Sequence, residues 1–229
     1  MALTEAPNLG DAAHTRIRQA IVRLELPPGA AISEQQLVDA YGLTKASVRS
    51  ALARLRSDGL VASAPRRGHV VTQVTLRDVR EVYDLRVAIE PMGAERAAGH
   101  LPAATLRRLR ALTADPPDLG RAASVDRFLT ANRELHVGVA AAAGSGRLLR
   151  IVSQLVDDSE RVILLAIRAG AAHHGRRVHE EHRALLTALA AGDGAESRRV
   201  MEAAVGGFRD ELVAVFLRSA PMLDVSLQG

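Results

Sequence analysis

Apolar residues recur at helical spacing along most of the chain. Between residues 11 and 26, Ile17, Ile21 and Leu24 fall at i, i+4 and i+7, the stripe of an amphipathic helix. The two prolines and the glycine of LPPGA (26–30) end it, because proline cannot continue a helix and glycine permits a turn. Ser33 and Gln36 in SEQQL (33–37) have capping-box spacing and start a short helix that runs to about Tyr41, with Gly42 as its stop. Thr44 then caps a third helix whose inward stripe is Val48, Leu52 and Leu55 and whose end is Gly59. Two β-prone runs, LVASA (60–64) and HVVTQV (69–74), flank the tight PRRG (65–68) and predict a hairpin.

After Thr75 the pattern is helical nearly to the end. Helices are expected near 76–99, 103–114, 122–142, 145–168, 175–191 and 194–218. Pro102, DPPDLG (115–120), GSG (144–146), Gly170–Gly175 and GDG (192–194) separate them, and such short connections imply antiparallel neighbours. The expected fold is therefore mainly α. Residues 1–75 form a winged helix-turn-helix with a small β-hairpin wing, and residues 76–229 an all-α antiparallel bundle.

Composition narrows this further. The chain has no Cys, which rules out disulfides and thiolate metal sites, and aromatic residues are only 2%, which argues against single-strand binding by base stacking. No apolar run reaches the roughly 18–20 residues of a membrane span, and no basic region followed by an apolar core opens the chain. A cytoplasmic protein with no membrane partner is the expectation. The net charge of +4 is concentrated: residues 41–75 hold Lys45, Arg49, Arg54, Arg56, Arg66 and Arg67 against Asp58 alone. The remainder after Thr75 is nearly neutral, so the basic excess marks a phosphate-binding module.

In a helix-turn-helix the second helix of the motif enters the major groove and its first turns reach base edges. Here that helix begins at Lys45, and its inward stripe leaves Lys45, Ala46, Arg49, Ser50, Ala53 and Arg56 facing outward. Arg49 has the side chain for bidentate reading of guanine, and the N–H groups at Thr44 to Ser47 suit a phosphate. Arg66, Arg67, Gly68 and His69 decorate the wing tip, where a minor-groove or backbone contact is expected. The alternative for any one of these charges is a solvated face. Their agreement with the capped helices and the basic hairpin favours duplex DNA as the partner.

These residues resemble the GntR family. The stretch LPPGAAISEQQLVDAYGLTKASVRSALARLRSDGLVASAPRRGHVV (26–71) follows its signature closely. It departs at Gln35 and Lys45, where relatives usually carry Arg, at Ser47, usually Pro, and at Ser50, often Glu. These departures bear on which operator is read. VYDLRVAIEPMGAERAA (82–98), NRELHVGVAAAAGSGRL (132–148) and EEHRALLTALAAGDGAESRRVMEAAV (180–205) resemble segments of the C-terminal domain of the FadR/FCD subfamily. The resemblance implies a transcriptional regulator of the repressor type that works as a homodimer on a palindromic operator. It also implies that a small organic acid relieves the repression.

The resemblance further implies a divalent metal such as zinc in the effector domain. The matching positions hold Asn132, His136 and His182, with Ala204 where a last His stands in relatives. Asn132 and His136 share a helix face, but Asn is a weak ligand and Ala204 is none, while zinc prefers about four good donors. His179, one turn before His182, is a substitute. In the competing reading no cofactor binds, and Asn132, His136 and His182 hydrogen-bond the effector directly while Arg86 pairs with its carboxylate. The plain alternative for Arg86 is an ion pair with Glu90 at i+4. His173 and His174 read as surface residues. Two other functions compete with this one. A metal-dependent hydrolase using the histidines lacks any H-E-x-x-H, G-x-S-x-G, Walker or dinucleotide motif. A ligand-free architectural DNA-binding protein would have a solidly packed bundle where an effector domain has a partly polar pocket.

Overall fold

The computed structural model describes residues 9–64, 68–170 and 175–223. The chain divides into two compact units between Val74 and Thr75. In the first, α1 (Leu9–Val22), α2 (Glu34–Tyr41) and α3 (Lys45–Ser57) surround one core with β1 (Ala31–Ile32), β2 (Val61–Ala64) and β3 (Gly68–Val71). Ile17, Ile21, Leu37, Val48, Leu52 and Leu55 meet there, so the inward stripes of the helices close on each other. The Ser33–Gln36 capping box forms in both directions, Gly42 ends α2 at φ 64°, and the Thr44 side chain caps α3.

Two details differ from the sequence expectation. The first helix stops at Val22 rather than reaching residue 26. Leu24, buried, takes a left-handed φ of 58°, and the Leu26 N–H turns back to donate to the Ala20 carbonyl, so the chain leaves the helix before the prolines. The hairpin also gains a third strand, giving the antiparallel order β1-β3-β2. Ala31 and Ile32 pair with Val70 and His69, and the Gly29 N–H and Ala30 carbonyl extend the contact to Val71. Gly68 makes this close approach feasible: its φ is 78°, and a Cβ there would lie 3.0 Å from the Ile32 carbonyl oxygen.

The second unit holds α4 (Leu76–Ala97), α5 (Ala103–Leu112), α6 (Ala122–Ala142), α7 (Gly146–Arg168), α8 (Gly175–Ala191) and α9 (Gly194–Leu223). Thr75 and Asp78 make a second complete capping box at the start of α4, which runs on through the buried Pro91. Ion pairs Glu95–Arg198 and Asp84–Arg209 fix α9 antiparallel along α4, and α9 continues five residues past the expected end at 218. A satellite core of Leu119, Val125, Phe128, Leu129, Ile163 and Val178 joins α6, α7 and α8. Among the described residues no helix is long and apolar enough to cross a membrane. His173 and His174 lie outside the described residues.

The packing of α8 against the 115–120 loop makes one position sensitive to a single methyl group. A Cβ on Gly175 would sit 2.3 Å from the Pro117 carbonyl oxygen, whereas one on Gly42 meets nothing within 4 Å. Gly175→Ala is expected to lower unfolding stability by about 1–3 kcal/mol, the usual range for overpacking. Gly42→Ala suffers only its backbone strain, of order 1 kcal/mol. Urea unfolding of the two variants checks the ranking, and equal losses would mean that the loop simply yields.

Candidate nucleic-acid interface and buried polar cavity

Helix α3 buries Ser47, Val48, Ala51, Leu52 and Leu55 and leaves Lys45, Ala46, Arg49, Ser50, Ala53 and Arg56 exposed. The basic residues of this helix are not equivalent. Arg54 reaches Asp11 at 2.5 Å, and Arg56 donates to the Ser63 hydroxyl at 3.3 Å, so both lean onto their own unit. Arg49 forks onto Glu34 of α2, with Nε and Nη2 each 3.2 Å from a carboxylate oxygen, yet its side chain stays 69% exposed. The hydrogen bond from Arg49 holds the Glu34 carboxyl below its ordinary range. Glu34 is a residue that sequence reasoning passed over. Its signal was its place as the first residue of a capped helix, where a carboxylate suits the helix dipole.

Thr44 spends its hydroxyl on the cap, accepting from the Ser47 N–H at 3.2 Å. The Ser47 hydroxyl donates back to the Thr44 carbonyl at 2.9 Å and is buried, in line with its absence from the outward set of α3. The reason is positional: the third residue of a capped helix faces back over the cap. Gly68 is exposed, while His69 is half-buried with Nδ1 lacking a hydrogen bond. Arg66 and Arg67 lie outside the described residues.

The second unit encloses a polar cluster. Arg86 and Glu90, one turn apart on α4, are both buried and pair at 2.5 Å through Nε and Oε1. A second Arg86 nitrogen donates to the Ser159 hydroxyl of α7 at 3.0 Å, and that hydroxyl donates to the Val156 carbonyl at 2.8 Å. The other Glu90 oxygen bonds His136 Nδ1 of α6. Burial alone would raise the Glu90 carboxyl, but the facing charge of Arg86 and the contact with His136 hold it at about 2. The Arg86–Glu90 pair anticipated from i+4 spacing therefore exists, and Arg86 lines the cavity as well. Glu90 is the central residue that sequence reasoning treated only as a partner.

Asn132, His136, His182 and Ala204 come together on the walls of one cavity of about 20 Å³, with Tyr83, Arg86, Glu181 and Phe208. That volume holds roughly one water. The His136 and His182 rings meet edge to face, 5.9 Å between centroids. Burial pushes the His182 imidazole down to about 3, helped by His136 and Arg86, so it is neutral. Burial pushes the Tyr83 hydroxyl up to about 12 against the pull of Arg86. Burial also raises Glu181 to about 7 against the pull of Arg177, with Glu211 and Glu180 repelling.

These residues do not fit a metal. Among the described residues no group of three or more His, Asp or Glu is placed to hold one. Glu90, the carboxylate beside His136, is already neutralised by Arg86, Ala204 contributes only a methyl group, and a guanidinium occupies the wall. His179 lines a neighbouring pocket rather than this cavity, so it does not replace the missing ligand. The chemistry of this lining therefore speaks against Asn132, His136 and His182 as a metal set.

Two consequences are measurable. Glu90→Gln would leave Arg86 buried without its counter-charge and is expected to cost about 3–5 kcal/mol in chemical denaturation. The pH dependence of stability has opposing contributions. His182 is neutral in the fold but protonates when unfolded below its ordinary 6.5, so its contribution falls as pH drops from about 6.5 towards 3. Glu181 binds a proton in the fold up to about 7 but loses it above its ordinary 4.5 when unfolded, so its contribution falls as pH rises from about 4.5 to 7. Melting temperatures across pH 4.5–7 should therefore tilt in opposite directions in His182→Asn and Glu181→Gln. Parallel tilts would contradict the burial of one of them.

Comparison with known proteins bears on both units. An uncharacterized HTH-type transcriptional regulator from the TAR-I ttuE-ttuC′ intergenic region of Agrobacterium vitis is 34% identical over 87 residues, 38% of this chain and 51% of that protein. The HTH-type transcriptional repressor RspR of Escherichia coli K12 is 33% identical over 82 residues, 36% of each chain. The chain thus spans about half or less of the length of these curated relatives. E. coli McbR/YncC shares the fold, with a TM-score of 0.77 at 21% identity, covering 92% of this chain and all of that one. The model for bacterial regulatory proteins of the gntR family matches residues 9–71, and the model for the FCD domain matches residues 81–206. The α3 face and the polar bundle thus fall in matched segments of a family of regulators, not enzymes, and the chain belongs to the gntR family, with an FCD domain as its second part.

Proposed function

We propose that this regulator represses transcription by binding a palindromic operator as a homodimer, and that a small carboxylic acid in the α4/α6/α8/α9 cavity releases it. In this reading residues 1–75 bind DNA, residues 76–229 bind the effector and dimerise, and the protein works in the cytoplasm. The observation that carries it is α3. Its packed inner stripe rigidly presents Lys45, Arg49 and Ser50 at the end where a recognition helix meets base edges. Thr44 and Ser47 fix the start of that helix, and Arg66, Arg67, Gly68 and His69 supply the wing. The similarity to RspR, an HTH-type transcriptional repressor, supports the repressor sense.

The buried polar lining of Arg86, Asn132, His136 and His182 favours an effector domain over a ligand-free architectural bundle. A buried guanidinium beside a neutral imidazole suits a carboxylate, which accepts hydrogen bonds from both. Occupancy then favours one of two dimer arrangements, and the recognition helices no longer reach both half-sites. Such coupling is reciprocal and typically about 1–3 kcal/mol.

Arg49→Ala is expected to weaken operator binding about tenfold to a hundredfold and to relax selectivity at one base pair. Arg66→Ala should weaken all sequences alike and lower the salt slope by about 1. Selection of binding sites from random duplexes, with gel-shift titrations at several salt concentrations, checks both. Unchanged selectivity in Arg49→Ala would displace α3 as the reading helix.

A further inference from the structure

The two residues that open α2 point their side chains to different partners. Gln35 turns along its own helix and donates to Asp39 at 2.9 Å. Glu34 reaches α3 instead, where its two carboxylate oxygens accept from Arg49 Nε and Nη2, each at 3.2 Å. Both ends of this contact are anchored. Glu34 lies within the Ser33–Gln36 capping box and its side chain is half-buried. Helix α3 is held by its Thr44 cap and by Val48 and Leu52 in the core.

Which part of the guanidinium Glu34 takes is informative. Arginine carries its five N–H donors in one plane, in a fixed fork geometry. Nε and one N–H of Nη2 make a side edge, and Nη1 with the other N–H of Nη2 makes the adjacent end edge. Glu34 occupies the side edge. The end edge is left over, on a side chain that is still mostly exposed. Its two donors match guanine O6 and N7 in the major groove. A surface pair of this kind adds little to stability, and leaving Glu34 would cost Arg49 little. The geometry nevertheless lets Arg49 keep Glu34 and meet a base at once.

We infer that Glu34 is a positioning residue for base recognition: it braces Arg49 by the side edge, presents the end edge to guanine, and so sets selectivity at one base pair. The inference rests on the proposed role of α3 as the reading helix, and it adds a residue of α2 to those that decide what is read. An unbraced arginine sweeps a wide arc and meets phosphate oxygens as readily as bases. A braced one offers a fork that only a pair of acceptors satisfies. Charge acts in the same sense. The Glu34 carboxyl is lowered by Arg49 and further by Lys45 and His69, so it stands as an anion on a basic face. An anion there disfavours a phosphate beside Arg49.

The test uses the full chain and three duplexes. The first is a site that this protein selects from random-sequence DNA. The second carries a change at the base pair where Arg49→Ala loses selectivity, and the third a change at a base pair whose selectivity Arg49→Ala keeps. Dissociation constants on all three give two selectivity ratios for the wild type, Glu34→Gln and Glu34→Asp. Glu34→Gln removes the charge and one acceptor, and should lower the first ratio about three- to tenfold while the second stays as in the wild type. Glu34→Asp keeps the charge but is one methylene shorter, and should lower the first ratio as well. Circular dichroism checks that each variant folds, and Glu34→Ala repeats the measurement if one does not. An unchanged first ratio in Glu34→Gln, an equal fall in both ratios, or full selectivity in Glu34→Asp would overturn the brace while Arg49 remains a reading residue. If Arg49→Ala keeps its selectivity at every base pair of the selected site, the reading helix itself is misplaced and the brace falls with it.

Discussion

Much of the second unit is organised by the cost of burying a guanidinium. Arg86 is almost fully enclosed, and an uncompensated charge there would be strongly destabilising. Glu90 supplies the counter-charge from the same helix, but a carboxylate has two oxygens and a guanidinium several donors. The surplus valences go to His136 on α6 and Ser159 on α7. One ion pair thereby sets the register of three helices. A buried pair of this kind is weak evidence for stability, since apolar residues of the same volume often serve as well. Its value lies in specificity: slide any of the three helices by a turn and a charged or polar group is orphaned.

The exposed counterpart in the first unit obeys different arithmetic. Arg49 and Glu34 also form a forked pair, but in solvent, where such pairs contribute little to stability. The pair is therefore easily exchanged. On the proposed DNA-binding reading, Arg49 would give up little in turning from Glu34 to a base edge. The two pairs look alike on paper, yet burial makes one a fixed structural element and leaves the other available for recognition. The neighbouring cations Arg54 and Arg56 lean onto Asp11 and Ser63, which leaves Lys45 and Arg49 as the basic residues at the reading end.

What the sequence revealed and what it concealed divide along locality. Both capping boxes, the Gly42 stop, the Thr44 cap and the outward face of α3 depend on residues within a turn of each other, and periodicity and spacing exposed them. The i, i+4 spacing of Asn132 and His136 placed them on one face, and the family resemblance added His182, so their meeting was also legible. Strand β1 was not. Two residues carry no periodicity, and their strand exists only because β3, nearly forty residues on, offers free backbone groups. The end of α1 depends on burial of Leu24 in a left-handed conformation that leucine does not advertise. Glu90 was visible as an i+4 partner of Arg86, but its bond to His136 arises only when α4 and α6 pack.

That same packing bears on the two positions where candidate metal ligands are missing. A divalent ion needs donors whose lone pairs are free and whose charge is negative. Behind this cavity the Glu90 carboxylate is claimed by Arg86 and His136, so it offers no free lone pairs to an ion. With Asn at 132 and Ala at 204, the cation on the cavity wall is a tethered guanidinium, paired with Glu90, rather than a bound ion. A tethered cation does not depend on metal supply or chelators. It also has directional N–H groups, which an ion lacks, and here they are spent on Glu90 and Ser159.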